Sequence, residues 1–287
     1  MGILATKIWI IIPTHNRKAL TLACLQSLSE QTTGGFRIIV IDDGCNDGTS
    51  TGIAEVYPEV VVLRGNGNLW WAGAMNAGVR YALNQGAEYV VSLNDDLEVS
   101  ANYIESMVHW ARYYPNALLG SFALDIETSS PDFAGCRLNW RTGKVTSVLD
   151  TVCGGDCSGL HPVTHFSGRG LWIPARVFRH IGLFDAKAFP LYAADDDFTL
   201  RAAKQGYEIY CNMDARLYSH TSESALRIKS KGRGIRVVWQ YLFGIKGKGN
   251  LKNFVLISLR HCPKKYLFFY MLKGTAARVV GSLNARS

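Results

Sequence analysis

Four apolar runs in the first hundred residues each stop abruptly at polar side chains, and this pattern allows few folds. The runs end at Pro13, at Asp42-Asp43, at Arg64 and at Asn94-Asp95-Asp96. Helical patterns follow the first and third runs, and strand, helix, strand at this spacing predicts a right-handed crossover and parallel pairing. In an open α/β sheet, ligands bind where the strands end. We therefore expect these polar groups to form one site.

The runs and the stretches between them predict a Rossmann-like half-domain. Strands are expected over residues 7–12, 37–41, 60–63 and from residue 89 onward, with helices after Arg17 and from about Ala72 to Asn84. Thr14 or Asn16 can cap the first of these helices.

The fourth strand predicts a cation or polar-ligand site where it ends. Because side chains alternate along a strand, Asn94 and Asp96 would share one side while Asp95 faces away. Such oxygen donors suit Mg²⁺ or Mn²⁺, with substrate phosphates completing the coordination. An ordinary exposed turn is the alternative interpretation, since Asn and Asp favour turns.

Length and composition indicate a globular protein. A chain of 287 residues, 48% of them hydrophobic, is long enough for one large α/β domain with an appendage or for two small domains. The seven cysteines favour reduced thiols in a cytoplasmic compartment over a disulfide framework. We predict no signal peptide, and the apolar stretch Tyr266–Leu272 is too short to cross a bilayer.

The charge is distributed unevenly. From Arg227 to Ser287 there are 14 Lys and Arg and no Asp or Glu, whereas the first 226 residues hold 17 basic and 23 acidic residues. A basic tail indicates an anionic partner, either a membrane surface or nucleic acid. The acidic body carries no recognisable nucleic-acid module, so we do not expect nucleic acid as a partner.

An ordered series of motifs identifies a family resemblance over residues 7 to 225. The motifs are Pro13-Thr14-His15-Asn16-Arg17, Asp42-Asp43-Gly44, the stretch 68–78, Asn94-Asp95-Asp96, the stretches 168–174 and 181–185, Ala194 to Arg201, and Ser219-His220. Together they resemble glycosyltransferase family 2, and most closely its rhamnosyltransferase-like members that build bacterial surface polysaccharides such as O antigen. The ordered set is far more specific than any single motif.

The resemblance implies a fold and a reaction. It implies a GT-A fold, an α/β architecture with a mostly parallel central sheet flanked by helices, here with a C-terminal basic helical extension. Residues 1–225 would form the catalytic domain, with a nucleotide-binding half at 1–100, an acceptor-side half at 101–225 and the helical tail at 226–287. It also implies a nucleotide-diphosphate sugar donor, a divalent cation and inversion at the anomeric carbon.

For the leaving group, the resemblance implies metal ligands. The family's acidic motif has carboxylates at its first and third positions. Here Asn94 replaces the first and Asp96 keeps the third, which removes one anionic ligand. Asp96 with His220 is the expected Mg²⁺ or Mn²⁺ site, alongside the diphosphate. A surface or core histidine is the alternative for His220.

For the base, the cluster Asp195-Asp196-Asp197 precedes a predicted helix. Crowded carboxylates raise the proton affinity of at least one of them, as a general base for a sugar hydroxyl requires. Alignment through Phe198 and Arg201 places Asp195 on the family's catalytic base, with Asp196 next. Stabilisation of the helix start by acidic side chains is the structural alternative.

The donor site follows from the strand ends. The resemblance implies that Asp42 or Asp43 accepts a hydrogen bond from a pyrimidine imide, which favours dTDP- or UDP-linked donors, such as dTDP-rhamnose, over cytidine ones. The remaining expected donor-site residues are Pro13, Thr14, Asn16, Arg17, Trp71, Gly73, Asn76, Asn94 and Asp95.

The sequence of the tail, residues 226–287, predicts short amphipathic helices whose apolar faces are flanked by basic residues. These suit an anionic bilayer, and the family's acceptor is often a lipid-linked saccharide. We therefore expect a cytoplasmic protein bound peripherally to the inner face of the cell membrane. A solvated helical subdomain or a homodimer interface is the alternative. A non-catalytic sugar-nucleotide sensor is the alternative function, because of Asn94.

One further pattern favours a different site. Cys153, Cys157, His161 and His165 recur at every fourth residue, within the gaps that zinc sites tolerate. Intervening Gly and Pro residues preclude a helix that places all four on one face. A loop on the acceptor side is the favoured interpretation.

Overall fold

Strands and helices alternate through most of the chain. The structure is a computed structural model that describes residues 7–152, 157–220, 235–247 and 249–284. The strands are β1 Ile8–Thr14, β2 Arg37–Asp42, β3 Val61–Arg64, β4 Tyr89–Ser92, β5 Leu97–Val99, β6 Leu118–Asp125, β7 Pro131–Phe133, β8 Cys136–Asn139, β9 Lys144–Ser147, β10 Leu160–Pro162, β11 Leu171–Pro174 and β12 Ile209–Ser219. The helices are α1 Lys18–Ser29, α2 Thr49–Val56, α3 Trp70–Asn84, α4 Tyr103–Tyr113, α5 Leu149–Val152, α6 Ala175–Ile181, α7 Ala194–Lys204, α8 Ile235–Phe243, α9 Leu251–His261 and α10 Lys264–Asn284.

A mostly parallel mixed sheet forms the centre. Its strands follow the order β10-β12-β6-β11-β4-β1-β2-β3, with β5 paired to β12 and β7 to β6. Strands β4, β1, β2 and β3 are parallel, as are β6 and β12. Strand β11 lies antiparallel between β4 and β6. The predicted α/β architecture and its four leading strands are confirmed.

Two apolar layers cover the two faces of the sheet. The side chains of β1 point alternately into one layer and the other. Trp9 and Ile11 pack in the layer formed with α3, α6 and α7. Ile8, Ile10 and Ile12 pack in the layer formed with α1, α2 and α4. A strand buried on both faces needs a continuous apolar sequence, which explains the run at residues 8–12.

Strand β11 brings a distant segment to the edge where β4 ends. Leu171 pairs with Ser92, the last residue of β4, so the preceding residues 168–170 lie beside that end. The hydroxyl of Ser92 donates to the carbonyl oxygen of Gly168 at 2.5 Å. The antiparallel direction of β11 therefore places its N-terminal end at the edge where the parallel strands finish.

Two local predictions are wrong. Neither Thr14 nor Asn16 caps α1: Arg17 is the N-cap residue and makes no side-chain cap hydrogen bond. The amide of Lys18 instead donates to Asp47 Oδ2 at 2.9 Å, from the loop after β2. The alternation expected for residues 94–96 fails because β4 ends at Ser92 and the chain turns at Asp95 and Asp96.

The C-terminal helices pack on the rest of the protein. The side chain of Lys273 in α10 donates to the carbonyl oxygen of Thr142 at 2.7 Å, and the Trp140 and Tyr270 ring centroids are 5.0 Å apart. The expected boundary at 225/226 lies outside the described residues. Among the helices that the structure describes, none is both long and apolar enough to cross a membrane.

His161 and His165 of the four-residue Cys/His pattern contact different groups. Cys153 lies outside the described residues. His165 Nε2 lies 3.3 Å from Cys136 Sγ, whereas His161 Nε2 lies 3.1 Å from the Ser158 carbonyl oxygen. Across residues 7–152, 157–220, 235–247 and 249–284, no three His, Cys, Asp or Glu side chains could hold a metal ion. The zinc alternative has no support in that part of the chain.

Gly120 in β6 leaves space for the ring of Phe166, which shortly precedes the segment 168–170 at the sheet edge. A Cβ atom on Gly120 would overlap the ring of the fully buried Phe166, two residues before Gly168. We predict that Gly120→Ala lowers the free energy of unfolding by about 1–3 kcal/mol, because the ring has no space to move. Urea denaturation measures this.

Gly34→Ala is the matched control, since a Cβ atom there would meet no heavy atom within 4 Å. We expect it to change the free energy of unfolding by less than about 0.5 kcal/mol. Equal effects of the two substitutions would contradict the packing argument.

Candidate active site

A cleft of about 520 Å³ opens where β1, β2 and β4 end. Of the residues expected at the site, nine line it: Pro13, Thr14, Arg17, Asp43, Trp71, Asn94, Asp95, Asp96 and Asp195. Six others do not: Asn16, Asp42, Gly73, Asn76, Asp196 and His220. Asp96 and Asp195 thus face the same cavity, although about a hundred residues separate them in the sequence.

Arg17 joins the two adjacent carboxylates after β4. Its Nη1 lies 3.0 Å from Asp95 Oδ1 and 3.1 Å from Asp96 Oδ2. Burial raises the pKa of Asp95 to about 6, against the opposing effect of Arg17. The turn at Asp95 and Asp96 replaces the expected alternation, and both carboxylates contact the guanidinium of Arg17. Asn94 points elsewhere, and its Oδ1 accepts from Trp71 Nε1 at 2.9 Å.

The two acids that end β2 hold loops in place. Asp43 Oδ1 accepts from the Gly67 amide at 2.8 Å, and its Oδ2 from the Leu69 amide at 2.9 Å. Asp42 accepts from the Cys45 amide and from the Ser50 hydroxyl. Asp43 faces the cleft and Asp42 does not, so the structure favours Asp43 of the two for any ligand contact.

Helix α3 presents two tryptophans and buries a polar anchor. Trp70 has a positive φ of 53°, uncommon for a bulky residue, and its amide lies 3.3 Å from Asp43 Oδ2. Asn76 is buried; its Nδ2 donates to the Phe184 carbonyl oxygen at 2.8 Å and its Oδ1 accepts from the Phe184 amide at 3.0 Å. Asn76 therefore ties α3 to the segment before α7. The expected donor residue Gly73 lies against Leu69.

Asp195 is held at the start of α7 by two amides. Its Oδ2 accepts from the Gly168 amide at 2.8 Å and its Oδ1 from the Asp196 amide at 3.0 Å. Burial, followed by the charge of Asp196, raises the pKa of Asp195 to about 6. Ala193, just before the helix, has a positive φ of 68°. This geometry presents a carboxylate of raised basicity to the cleft.

Asp196 points away from the cleft. Its Oδ1 lies 3.7 Å from His165 Nε2, and its side chain is 42% exposed. Two neighbouring acids on one helical turn therefore have different surroundings. The structure favours Asp195 over Asp196 for contact with a ligand in the cleft.

The third acid of the cluster, Asp197, is fully buried in a network of basic side chains. It accepts from Arg201 Nε at 2.8 Å and from Arg260 Nη1 at 3.1 Å, and His261 Nε2 lies 3.0 Å away. Burial opposes its ionisation, but the hydrogen bonds from His261 and Arg201 lower its pKa to about 2. Asp197 thus fastens α7 to α9 of the C-terminal segment, a contact that no sequence pattern indicated.

The cleft also contains residues that were not expected from the sequence. They include Ser167, Arg169 and Tyr192 near Asp195, and Lys246 from the loop between α8 and α9. Arg169 is paired with Asp132 at 2.8 Å. The motif 168–174 marked the neighbourhood of Ser167 and Arg169. Lys246 had no signal beyond the positive charge of the tail.

The expected metal ligands are engaged with other groups. Asp96 holds Arg17, and His220 Nε2 lies 2.9 Å from Glu98 Oε1. The two residues are close, since the His220 amide donates to the Asp96 carbonyl oxygen at 3.2 Å. In the part of the chain that the structure describes, however, no three acidic, His or Cys side chains are placed to hold an ion. This arrangement does not fit a resident divalent cation, and the positive charge here is Arg17.

The sheet order and the cleft at the strand ends define a GT-A-type α/β fold. The fold of GalNAc-T7, solved with UDP, GalNAc and Mn²⁺, is similar, with a TM-score of 0.61 at 14% identity over 74% of this chain. The fold of S. aureus TarS 1–349, solved with UDP-GlcNAc, is also similar, with a TM-score of 0.60 at 12% identity over 96% of this chain.

Sequence comparison specifies the family. Residues 9–146, just under half of the chain, match the model of glycosyl transferase family 2, and this segment belongs to that family. The predicted membership and GT-A fold are confirmed.

Two relatives align over most of the chain. A GalNAc(5)-diNAcBac-PP-undecaprenol beta-1,3-glucosyltransferase of Campylobacter jejuni is 23% identical over 71% of this chain and 71% of its own length. The dTDP-rhamnosyl transferase RfbF of Shigella flexneri is 22% identical over 78% of this chain and 72% of its own length.

Two other similar proteins, from Haemophilus and the GalNAc-T7 structure, are matched over less than half of their own length. An uncharacterised glycosyltransferase of Haemophilus influenzae is 33% identical over 87 residues, which cover 30% of this chain and 28% of that protein. The chain covers 42% of the GalNAc-T7 chain and 73% of the TarS one.

The Asp197 network generates a stability prediction. We expect Asp197→Asn to lower the free energy of unfolding by about 3 kcal/mol at pH 7, because Arg260 and His261 lose a buried anionic partner. Because the pKa of Asp197 is lowered in the folded protein, the ionised carboxylate stabilises the fold at pH values above its ordinary pKa near 3.8. This stabilisation is lost as the pH falls toward about 2. The difference between wild type and variant should therefore narrow below about pH 4.

Asp185→Asn is the control for this prediction. Asp185 Oδ2 lies 2.8 Å from Arg260 Nη2, but the Asp185 side chain is 33% exposed, so its loss should cost less than about 1 kcal/mol. Denaturant unfolding of both variants between pH 3 and pH 7 makes the measurement. Equal losses in the two variants would show that burial of Asp197 contributes nothing.

Proposed function

We propose that this protein transfers a sugar from a nucleotide-diphosphate sugar to a hydroxyl group of a saccharide acceptor, with inversion, in bacterial polysaccharide synthesis. The observation that carries the proposal is the shared cleft: Asp195 and the Arg17, Asp95 and Asp96 group line one cavity at the strand ends. Transfer needs a base for the acceptor hydroxyl and positive charge at the leaving diphosphate, held in line.

Asp195 is the proposed general base. It takes the proton from the acceptor hydroxyl, whose oxygen bonds to the anomeric carbon as the bond to the nucleoside diphosphate breaks. A pKa of about 6 keeps the carboxylate mostly ionised at neutral pH, while it remains more basic than an exposed aspartate. The amides of Gly168 and Asp196 fix its orientation.

Arg17 supports the leaving diphosphate in this proposal. Its guanidinium lies in the cleft against Asp95 and Asp96, and a guanidinium matches phosphate oxygens in geometry and charge. Mg²⁺ or Mn²⁺ stays a prediction from the family resemblance, and we assign it no step here because Asp96 and His220 do not form a metal site as they stand.

The proposed donor carries a uracil or thymine base. Asp43 is the strand-end carboxylate that faces the cleft, beside Pro13 and Thr14 at the end of β1. The name of the Shigella relative supports a dTDP-linked sugar, with dTDP-rhamnose as one candidate. The TarS structure, solved with UDP-GlcNAc, supports a UDP-linked one.

The acceptor is proposed to be lipid-linked, and the tail to lie on the inner face of the cell membrane. Several large apolar side chains of α8 to α10 are exposed: Trp239, Phe243, Leu259, Phe268, Phe269, Leu272 and Val280. Basic residues and no acidic ones accompany them in the segment from Arg227 onward. Exposed apolar groups with a basic rim suit the interface of an anionic bilayer. A homodimer interface is the competing use of this surface.

The base assignment predicts a loss of transfer with binding retained. Asp195→Asn should reduce kcat by about 10²- to 10⁴-fold, because an amide cannot accept the proton. In the wild type, kcat/KM should fall about tenfold per pH unit below about 6, since only the ionised base is active. A thermal-shift panel of nucleotide sugars identifies the donor first, because a ligand that binds the native state raises its stability.

Asp196→Asn is the matched control and should retain most of the activity, since Asp196 does not line the cleft. Unchanged turnover in Asp195→Asn would remove the base assignment. Donor binding without any transfer by the wild type, across the acceptors tested, would favour the sensor function instead.

Membrane association predicts an effect of the exposed aromatic side chains. Phe268 and Phe269 are 72% and 71% exposed, so their joint replacement by Ser should leave the fold intact. We expect it to weaken sedimentation with phosphatidylglycerol vesicles by about tenfold or more, because apolar area leaves the bilayer interface. Tyr113→Ser, at a 68% exposed site on α4, is the control. Equal sedimentation of all three proteins would contradict membrane docking through α10.

A further inference from the structure

Lys246 is the sole residue of the described C-terminal segments, 235–247 and 249–284, that lines the cleft. It lies in the loop between α8 and α9, beyond the family-model match at residues 9–146. The C-terminal segment therefore contributes to the cavity as well as to the exposed apolar surface.

The loop that carries Lys246 is tightly built. The Gly247 amide donates to the Gly244 carbonyl oxygen at 2.9 Å, which closes a four-residue turn with Lys246 at its third position. Asn250 Nδ2 donates to the same carbonyl oxygen at 2.8 Å, and a Cβ atom on Gly249 would overlap the Tyr241 ring. These contacts fix the backbone that presents the lysine.

No carboxylate in the part of the chain that the structure describes neutralises the charge of Lys246. Among the described residues, the cationic side chains that line the cleft are Arg17, Arg169 and Lys246. Arg17 pairs with Asp95 and Asp96, and Arg169 pairs with Asp132. Lys246 forms no ion pair with the residues that the structure describes. Its Nζ lies 5.9 Å from the centroid of the Trp70 ring, which is itself 38% exposed. An anionic group of a ligand could pair with Lys246 while it lies beside the Trp70 ring.

Lys246 follows exposed apolar side chains and itself lines the cleft. Phe243 and Ile245, just before it in the sequence, are 48% and 46% exposed. Trp70 and Asp195 line the same cleft as Lys246. A ligand with hydrocarbon, phosphate, a sugar ring and a reactive hydroxyl would find a suitable group here for each part.

We propose that Lys246 binds the phosphate that links the acceptor's sugar to its lipid, with the sugar ring against Trp70. This inference rests on the proposed function and assigns an acceptor site to it. Because Lys246 and Asp195 share a cleft of about 520 Å³, the accepting hydroxyl lies within about one or two sugar rings of the phosphate.

The probe is farnesyl diphosphate, titrated calorimetrically against the full chain with saturating UDP or dTDP, so that the donor site is filled. Lys246→Gln should bind it about tenfold more weakly than wild type, and Lys246→Arg should restore most of the affinity. Lys252→Gln is the matched control, an exposed lysine of α9 outside the cleft lining, and should stay within about twofold. Farnesol, which lacks phosphate, should not distinguish the variants.

Three results would overturn the inference. Equal weakening by Lys246→Gln and Lys252→Gln would show general attraction of anions or phospholipid headgroups. Binding of the probe in the absence of UDP or dTDP that is lost when the nucleotide saturates the protein would place the probe's phosphates in the donor site. Unchanged affinity in Lys246→Gln would remove the lysine from the site. Failure of the proposed function is a separate result: no nucleotide sugar stabilises the wild type, whatever the probe does.

Discussion

The buried carboxylate of Asp197 connects α7, at the edge of the cleft, to the C-terminal helix α9. A fully buried charge is tolerated only with partners, and here those partners are Arg201 from its own helix and Arg260 and His261 from α9. Asp195 lies two residues earlier on the same helix, so the contact that anchors α9 also sets the position of the proposed base. The C-terminal segment is in this respect part of the active-site scaffold, although it was expected to be an extension with its own role at a membrane.

A second charge arrangement lines the same cleft as Asp195. Arg17, from the turn after β1, pairs with Asp95 and Asp96, which follow β4. Strands β1 and β4 are parallel and are direct neighbours in the sheet. The guanidinium offsets charge that would otherwise repel across adjacent residues. It also places a cation where a leaving diphosphate would need one. With Asn94 turned toward Trp71, this part of the cleft presents two carboxylates and one guanidinium, in place of the acidic pair that the family motif implies.

Much of the fold could be predicted from the sequence because it depends on local pattern. The apolar runs that end at Thr14, Asp42 and Ser92 became strands whose ends meet at one edge, as parallel pairing requires. Predictions that depended on the path of single residues were less successful. Asn16 does not cap α1, because the amide of Lys18 is satisfied by Asp47 from a different loop, and the turn at Asp95 removed the expected alternation.

The sequence by itself determined the α/β class, the family and the acids and bases from which a site could be built. The tertiary structure alone decided how each of them is used. Among three consecutive aspartates, one faces the cleft, one faces His165 and one is buried against α9. The pKa of Asp197 is lowered to about 2 whereas that of Asp195 is raised to about 6, because Asp197 has cationic partners that come from α9, a segment distant in sequence. Lys246 enters the cleft for the same reason: the packing of α8 and α9, which no local periodicity encodes, sets where their connecting turn lies.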